Sequence, residues 1–358
     1  MSICPPSAKT KKIRLWVAPR SRSGSKTNKG AIMPDSSLIR IGVLTCMRYV
    51  HISGIWGPII DPATEVKFEA CATRMTGMVM THVWDMDREG AEAFGRTHKD
   101  VEVVDNYWDM VGKVDGIILS DFDSCLHFKE LTKPYLEAGV PIFINRPFAL
   151  NLKDAQEMID LAKKHDTPIM SGSSFEYAPE VKHIKKEVAE IEPVRGFTSA
   201  NSMSDYPTHG IHGVFFAYAC IGGGIKSMAY QTPDWHTPNG LITIEYEPRG
   251  EDGKVFYGSI QEISGTWGWI RVFGERSFEQ FIHPGIHFWV PSLLAMQEMY
   301  ETRKMPESYE AIYEKTQIFL AAFKSHVVCN GAPVALDDVG DWQAPLLNPD
   351  PYPDGYFV

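Results

Sequence analysis

The sequence predicts an α/β fold: an N-terminal domain built on a doubly wound parallel sheet, then an α/β domain with a mixed, largely antiparallel sheet. Three observations carry this. Between Leu38 and Gly172 short apolar runs alternate with amphipathic stretches, the pattern of strand–helix–strand units in a parallel sheet. One such unit is complete in Cys125–Pro147. A helix bearing His127, Leu131, Tyr135 and Leu136 stops at Gly139, which tolerates the left-handed turn after a helix. Val140–Ile144 then follows as a short apolar run, as expected of a strand buried on both faces. From Glu176 onward, longer segments alternate apolar and polar residues at period two, which suits strands with one covered and one wetter face.

Taken in order, Leu38–Leu44 reads as the first strand. Asp61–Pro62 announces a helix to about Arg74 or Met75, with an acid at the N-cap and proline at the first helical position. Between them Thr45–Ile60 is a connection far longer than the usual ~2–6 residues, and a long loop at this place is expected to be functional. Met78–Val83 is a second strand ending in Trp84–Asp87, followed by a helix over Arg88–Thr97 and a strand over Val101–Val104. A helix at Tyr107–Val111 and a strand at Val114–Leu119 lead into the helix–strand unit. Asn151 then caps a helix with Ala155, Met158, Ile159 and Ala162 on one face, and Pro168–Met170 closes the run at Ser171–Gly172. In the second half a helix over Ala178–Ala189 precedes strands at Val194–Asn201, Lys226–Gln231, Leu241–Tyr246, Val255–Ile263 and Trp269–Phe273. A last helix, about Tyr309–Val328, ends near Asn330–Gly331.

These elements divide the chain into a disordered basic tail (1–37), a first domain (38–172), a second (173–345) and an extended C-terminal tail (346–358). That last tail is expected to lie along the surface or to reach a partner subunit. With 358 residues the chain exceeds one ordinary hydrophobic core and suffices for two. At 44% hydrophobic and 22% charged it has the make-up of a soluble globular protein, and its net charge of −10 argues against nucleic acid as a partner. The 6 cysteines are scattered without a Cys-x-x-Cys pair and read as reduced thiols. No apolar run approaches a membrane span, so the expectation is a cytoplasmic protein. Residues 1–34 hold eight Lys or Arg and no acid, leaving 27 basic against 45 acidic residues in the rest. An organelle transit peptide suits that composition, but an upstream extension before Met33 is preferred, because structural signals begin only at Leu38.

Ligands of open α/β sheets bind beyond the carboxyl ends of the strands, which singles out Asn145 and Arg146. A dinucleotide also needs a glycine-rich turn after the first strand, and here the three glycine positions hold Thr45, Met47 and Val50. A Met at the second position would fill the space of the pyrophosphate. Either the loop uses Gly54, Gly57, Arg48 and the Asp61 helix start, or no dinucleotide binds. Asp85 ends the second strand, where an acid bonds a ribose 2′-hydroxyl and favours NAD over NADP.

A second cluster runs Asp205-Tyr206-Pro207-Thr208-His209-Gly210-Ile211-His212. Its two histidines, three apart, lie on one side of a helical turn, and each could act as acid or base near neutral pH. At least one is expected to be structural. A metal held by His209, His212, His127 or His51 is the alternative, but the sequence lacks dense ligand spacing and the expectation is no metal. His127 either fills core space or lines the ligand edge. His236, Trp267 and Trp269 are read as structural.

These stretches resemble the glucose–fructose oxidoreductase / inositol dehydrogenase (Gfo/Idh/MocA) family over about Leu38–Leu336. The resemblance rests on Val114-Asp115-Gly116-Ile117-Ile118, on His127 with Leu136-Glu137-Ala138-Gly139, and on Asn145-Arg146-Pro147, which stands where the family has Glu-Lys-Pro. Thr208-His209-Gly210-Ile211-His212 aligns with the signature Asp-x-Gly-x-His. The run Gly210-Ile211-His212-Gly213 looks like a divergent branch whose loop after the first strand is also glycine-poor.

The resemblance implies an NAD(P)-dependent oxidoreductase acting on a sugar, polyol or related small molecule. It implies a Rossmann-like nucleotide-binding domain and a second domain that binds substrate and whose open sheet builds a homo-oligomer, dimer or tetramer. Thr45, Met47, Arg48, Asp85, Ser120, His127 and Asn145 become the cofactor contacts, and Arg146, Asp205, Thr208 and His212 the substrate contacts. Catalysis is assigned to His212 as base, with Arg146 and His209. Arginine at the family's lysine position stays charged and cannot shuttle a proton, so it would position substrate. NAD is expected in preference to NADP. Two rivals stand beside this reading: a non-redox lyase, hydrolase or isomerase on the same fold, metal-assisted or not, and a catalytically silent sugar-binding protein. The lost glycines favour the rivals, whereas Asp85 and His212 favour redox chemistry.

Overall fold

The computed structural model describes residues 38–358 apart from 46–50, 61–74, 99, 203, 250–252, 283–285, 354 and 358. Its first sheet has six parallel strands: β1 (Ile39–Leu44), β2 (Met78–Trp84), β3 (Glu102–Val103), β4 (Gly116–Leu119), β5 (Ile142–Asn145) and β6 (Ile169–Gly172). They lie in the order β3-β2-β1-β4-β5-β6, the doubly wound arrangement whose chain direction switches between β1 and β4. Strands β4, β5 and β6 are buried throughout, which is why they read as unbroken apolar runs. The crossover helices start where their caps dictate. Asp87 accepts from Gly90 N–H at the head of the helix Arg88–Thr97, and Asn151 accepts from Asp154 N–H at the head of Leu152–Lys164.

Two expectations for this half change. The chain is already helical from His51, through a π-helical turn at His51–Trp56 and α1 at Gly57–Ile60. Ile52, Ile55, Trp56, Ile59 and Ile60 all point into the core, a helical period that the later Asp–Pro signal obscured. The helix expected from Asp61 lies outside the described residues. Residues 107–111 form turns and not a helix.

The second sheet has seven strands, β7 (Gly196–Ser202), β8 (Ile225–Gln231), β9 (Leu241–Tyr246), β10 (Tyr257–Ser264), β11 (Thr266–Phe273), β12 (Ser277–Phe281) and β13 (Val334–Ala335), in the order β12-β11-β7-β10-β9-β8-β13. β7 and β10 pair in parallel and the other neighbours antiparallel, so the mixed, largely antiparallel sheet stands. Helices packed on it include Ile211–Ile221 and Tyr309–Val327, while Tyr257, Ile263 and Phe281 remain exposed.

The helix Ile286–Thr302 was not anticipated, because Pro291 inside it reads as a breaker. It returns to the first sheet, where Leu293, Met296 and Met299 join the core of β1 and the Tyr300 hydroxyl donates to the Ile117 carbonyl at 2.6 Å. The C-terminal residues return as well. Ala344 N–H donates to the Leu150 carbonyl at 2.8 Å, and Tyr352 is buried. Tyr352, within the expected extended tail, therefore packs on its own chain. Among the described residues no helix is long and apolar enough to cross a membrane.

Candidate active site

The end of β5 delivers Asn145 and Arg146 to the carboxyl edge of the first sheet, and the Arg146 side chain is 1% exposed. Its Nη1 lies 3.2 Å from His51 Nδ1, and its Nη2 donates to the Thr208 carbonyl at 2.8 Å and approaches His212 Nε2 to 3.0 Å. Guanidinium nitrogens only donate, so both histidine atoms accept. The His212 proton therefore sits on Nδ1, which faces Ser173 Oγ at 2.6 Å. On His51 it sits on Nε2, since Asn145 Nδ2 also donates toward Nδ1 at 3.3 Å.

Electrostatics agree with that assignment. Burial, then the Arg146 charge and neighbouring imidazoles, holds both His51 and His212 well below the usual histidine range. Both are neutral at physiological pH. His212 thus presents a lone pair on Nε2 directly beside a permanent cation.

Ser173, the first residue past β6, is itself fixed. Its Oγ accepts from Phe175 N–H, and its own N–H donates to Glu176 Oε1 at 2.6 Å, a reciprocal cap on the short turn Ser174–Tyr177. Lys315 lies behind it and donates to Ser171 O, Glu176 Oε2 and Glu307 Oε1, each at 2.8 Å. Burial opposes the Lys315 charge, but the two carboxylates outweigh it and keep the ammonium protonated. Such a buried ion group is weak evidence for stability; here it locks the strand end that orients His212.

The turn Tyr206–Gly210 precedes the His212 helix. Asp205 accepts from Thr208 N–H at 2.8 Å, from Thr208 Oγ1 at 2.7 Å and from Ser204 Oγ at 2.9 Å. Burial works against its ionisation, but bonds from His209, Thr208 and Ser204 prevail and hold it down at about 2. The Thr208 hydroxyl is thus engaged with Asp205, and Thr208 is buried. His209 Nδ1 lies 2.6 Å from Ser204 Oγ, and its ring centroid is 6.1 Å from that of His212. Glu262 of β10 closes the turn from behind. It takes the Tyr230 hydroxyl at 2.5 Å, and burial pushes its carboxyl up to about 7. A Cβ at Gly210 would meet Glu262 Oε1 at 2.1 Å and Tyr206 Cδ2 at 2.9 Å, so a larger residue between the two histidines would have to displace the Glu262 carboxyl.

Farther along the edge stand the residues expected to hold a cofactor. Thr45 follows β1 at φ 57°, a left-handed conformation costing a β-branched residue ~1–3 kcal/mol. It is held by the Ser120 hydroxyl, which donates to the Thr45 carbonyl at 3.0 Å, and by Thr45 N–H, which donates to the Trp84 carbonyl at 2.9 Å. The turn that glycine normally supplies is therefore made with threonine. Asn145 donates to the Ser120 carbonyl at 3.0 Å, joining this group to the Arg146 cluster. Asp85 follows β2 as expected, and Asp121, Asp123 and Ser124 follow β4. An acid beyond β2, a left-handed turn beyond β1 and hydroxyls beyond β4 fit a dinucleotide. Met47 and Arg48 lie outside the described residues.

His127 is apart from the histidine cluster. Its Nε2 lies 2.8 Å from Asp350 Oδ2, and its ring stacks on Phe357. Asn348 Nδ2 donates to Asp123 Oδ1 at 2.9 Å and the Tyr352 hydroxyl to Ser124 Oγ at 3.1 Å. Among the described residues no three or more His, Cys, Asp or Glu are grouped to hold a metal ion.

The site expectations named His51 only as a candidate metal ligand and omitted Ser173, Glu262 and the C-terminal contacts. Of these Ser173 was within reach, because it follows a parallel strand just as Arg146 does. His51 occupies a helix whose apolar period could have placed it.

Comparison with known proteins agrees with this architecture. Residues 60–173 match the family model GFO_IDH_MocA, described as an oxidoreductase family with an NAD-binding Rossmann fold. The chain is 26% identical over 136 residues to scyllo-inositol 2-dehydrogenase (NADP(+)) of Bacillus subtilis, covering 37% of this chain and 41% of that protein. It is 20% identical over 192 residues to an uncharacterised protein of Saccharomyces cerevisiae, covering 46% and 53%. The chain thus spans about half the length of the curated relatives it matches. Solved structures of like fold include myo-inositol dehydrogenase from Lactobacillus casei in complex with NAD(H) and myo-inositol. There the TM-score is 0.67 at 16% identity, over 83% of this chain and 96% of that one. A myo-inositol dehydrogenase from Corynebacterium glutamicum gives 0.63 at 14%, over 84% and 99%. Over residues 60–173 the chain is thus similar to the Gfo/Idh/MocA oxidoreductase family, and as a whole it shares the fold of these solved dehydrogenases.

Proposed function

We propose that the chain is an NAD-dependent oxidoreductase interconverting a secondary alcohol and a ketone on a sugar, polyol or related small molecule. The observation that carries this reading is the contact of Arg146 Nη2 with His212 Nε2 at the carboxyl edge of the sheet. A substrate hydroxyl that replaces Nη2 at the imidazole meets a neutral base, with a permanent cation beside it. Nε2 takes the hydroxyl proton while Arg146 stabilises the negative charge growing on oxygen. Ser173 Oγ keeps the bond to Nδ1–H, so the imidazolium stays hydrogen-bonded as it forms. Bound nicotinamide supplies the hydride acceptor.

In this reading His209 is a secondary substrate contact, while Asp205 and Thr208 shape the turn that presents it. Asp85 is assigned to ribose hydroxyls, and its charge would repel a 2′-phosphate, which is the reason for NAD over NADP. Thr45, Ser120 and Asn145 line the path between the two ends, and His127 borders the adenosine end. The exposed Tyr257, Ile263 and Phe281 support a homo-oligomer formed through the second sheet.

Relatives named for inositols make cyclic polyols the first substrates to try, beside alditols and aldoses, with NAD and NADP in parallel. His212→Ala is expected to lower turnover ~10²–10⁴-fold with NADH binding unchanged. Full activity in His212→Ala removes the assignment of the base. Failure of every form, variants of the C-terminal segment included, to bind either dinucleotide removes the redox reading.

A further inference from the structure

β1 lies between β2 and β4 in the sheet, and the adenosine half of a dinucleotide in this fold crosses that point, toward the acid beyond β2. In this chain the place is covered. Asp85, Asp121, Asp123 and Ser124 are each at most 8% exposed, although they follow strands at an edge that should open on solvent.

The cover includes the chain's own C-terminal segment. Asn348 bonds Asp123, Asp350 pairs with His127, and the Tyr352 hydroxyl bonds Ser124. The same hydroxyl lies close enough to Asp85 and Asp121 for both charges to add to the effect of burial on its ionisation. Tyr352 is therefore bonded to a residue after β4, within electrostatic reach of Asp121 after β4 and of Asp85 after β2. Its ring lies against His127 and Phe357, at centroid distances of 4.8 Å each, and Phe357 extends the aromatic group to Tyr107 beyond β3. An aromatic ring with a hydroxyl bonded to Ser124 among these acids is a fair imitation of a base and its ribose.

The hold is also of a releasable kind. Pro349, Pro351 and Pro353 have no N–H to donate, so the segment cannot form a regular ladder with the sheet. The bonds that tie it to the edge run through side chains.

We propose that residues 348–353 and 355–357 are an intramolecular competitor for the cofactor: they fill the adenosine half of the crevice, and a dinucleotide binds only as they leave. This rests on the reading of the chain as a dinucleotide enzyme. A site open for only a fraction of the time binds with an affinity reduced by that fraction.

The test compares the wild type with a chain lacking residues 348–358 and with the full-length double variant Tyr352→Ala, Phe357→Ala, each titrated with NADH by fluorescence. Both variants are expected to bind ~10-fold or more tightly than the wild type. In the wild type, saturating NADH is expected to accelerate hydrogen exchange of the amides in 348–357. Equal or weaker binding by the variants, or slower exchange in the segment on NADH binding, overturns the proposal and makes the segment a wall of the pocket. If no form binds NADH at millimolar concentration, the dinucleotide reading itself falls, and this inference with it. Should either variant fail to fold, the exchange measurement on the wild type decides alone.

Discussion

The two ends of the crevice are closed by different means. At the β5–β6 end, Arg146, His51, His212 and Ser173 are joined by hydrogen bonds that fix which ring nitrogen carries each proton, and the Glu176–Lys315–Glu307 group anchors them from behind. At the β1–β2–β4 end, carboxylates and a ring cluster are covered by a proline-rich segment attached through a few side chains. The first end is prepared in advance, as chemistry requires of groups that must not reorganise during the reaction. The second is filled by something that can leave, as binding requires. Polar burial at one end fixes geometry, and at the other it holds back a ligand.

Substitutions at each end should separate these roles. The largest effect belongs to Arg146→Lys. Lysine keeps the charge but is a single point donor and cannot bridge His51, Thr208 and His212 together. A misplacement of about 1 Å costs ~10²-fold in rate, so kcat/KM is expected to fall ~10²-fold or more with NADH affinity unchanged. A matching loss of NADH affinity would mean that the two ends are not independent.

Asp121→Asn comes next and acts at the other end. Burial is the main cause that raises the Asp121 carboxyl to about 6, with Asp123 and Asp85 adding to it. Because this value lies above that of the unfolded chain, the stability it contributes is whole below pH ~4 and is lost as the pH rises through about 6. At pH 8 the buried carboxylate costs up to about 3 kcal/mol relative to a neutral group. Asp121→Asn should therefore leave the melting temperature unchanged at pH 4 and raise it at pH 8. A variant less stable at pH 8 would show that the carboxylate is compensated.

The smallest effect is expected from Ser173→Ala. It removes the acceptor of His212 Nδ1–H without touching the base atom, so turnover should fall ~10-fold, with KM nearly constant and with rescue by Ser173→Thr. A rise in KM alone would give Ser173 a different role.

Much of this crevice is legible in the residues themselves. Asn145 and Arg146 stand out because polar residues at the end of a fully apolar strand have to meet something at the edge. Thr208–His212 stands out by its paired histidines. The parallel, doubly wound character of the first sheet follows from the alternation, because parallel strands need crossovers and the helix caps Asp87 and Asn151 mark where two of those begin; the order β3-β2-β1-β4-β5-β6 comes from the structure. Other parts leave no local trace. Glu262 occupies one position in an alternating strand, and only the approach of Gly210 makes it special. Residues 348–353 and 355–357 have no period to read, because they are positioned by single contacts to His127, Asp123 and Ser124. The helix over Ile286–Thr302 was hidden by a proline that its tertiary packing tolerates.

The claim at the centre of this account is that His212 is a neutral imidazole with its proton on Nδ1 and its Nε2 lone pair facing Arg146. Nitrogen-15 NMR of the histidine side chains, followed from about pH 5 to 8 with His212→Gln for assignment, tests it directly. The His212 signal is expected to stay neutral and in the Nδ1–H form over that range, and Arg146→Met to move its pKa upward. A His212 that titrates near the ordinary histidine value, or one protonated on Nε2, would contradict it.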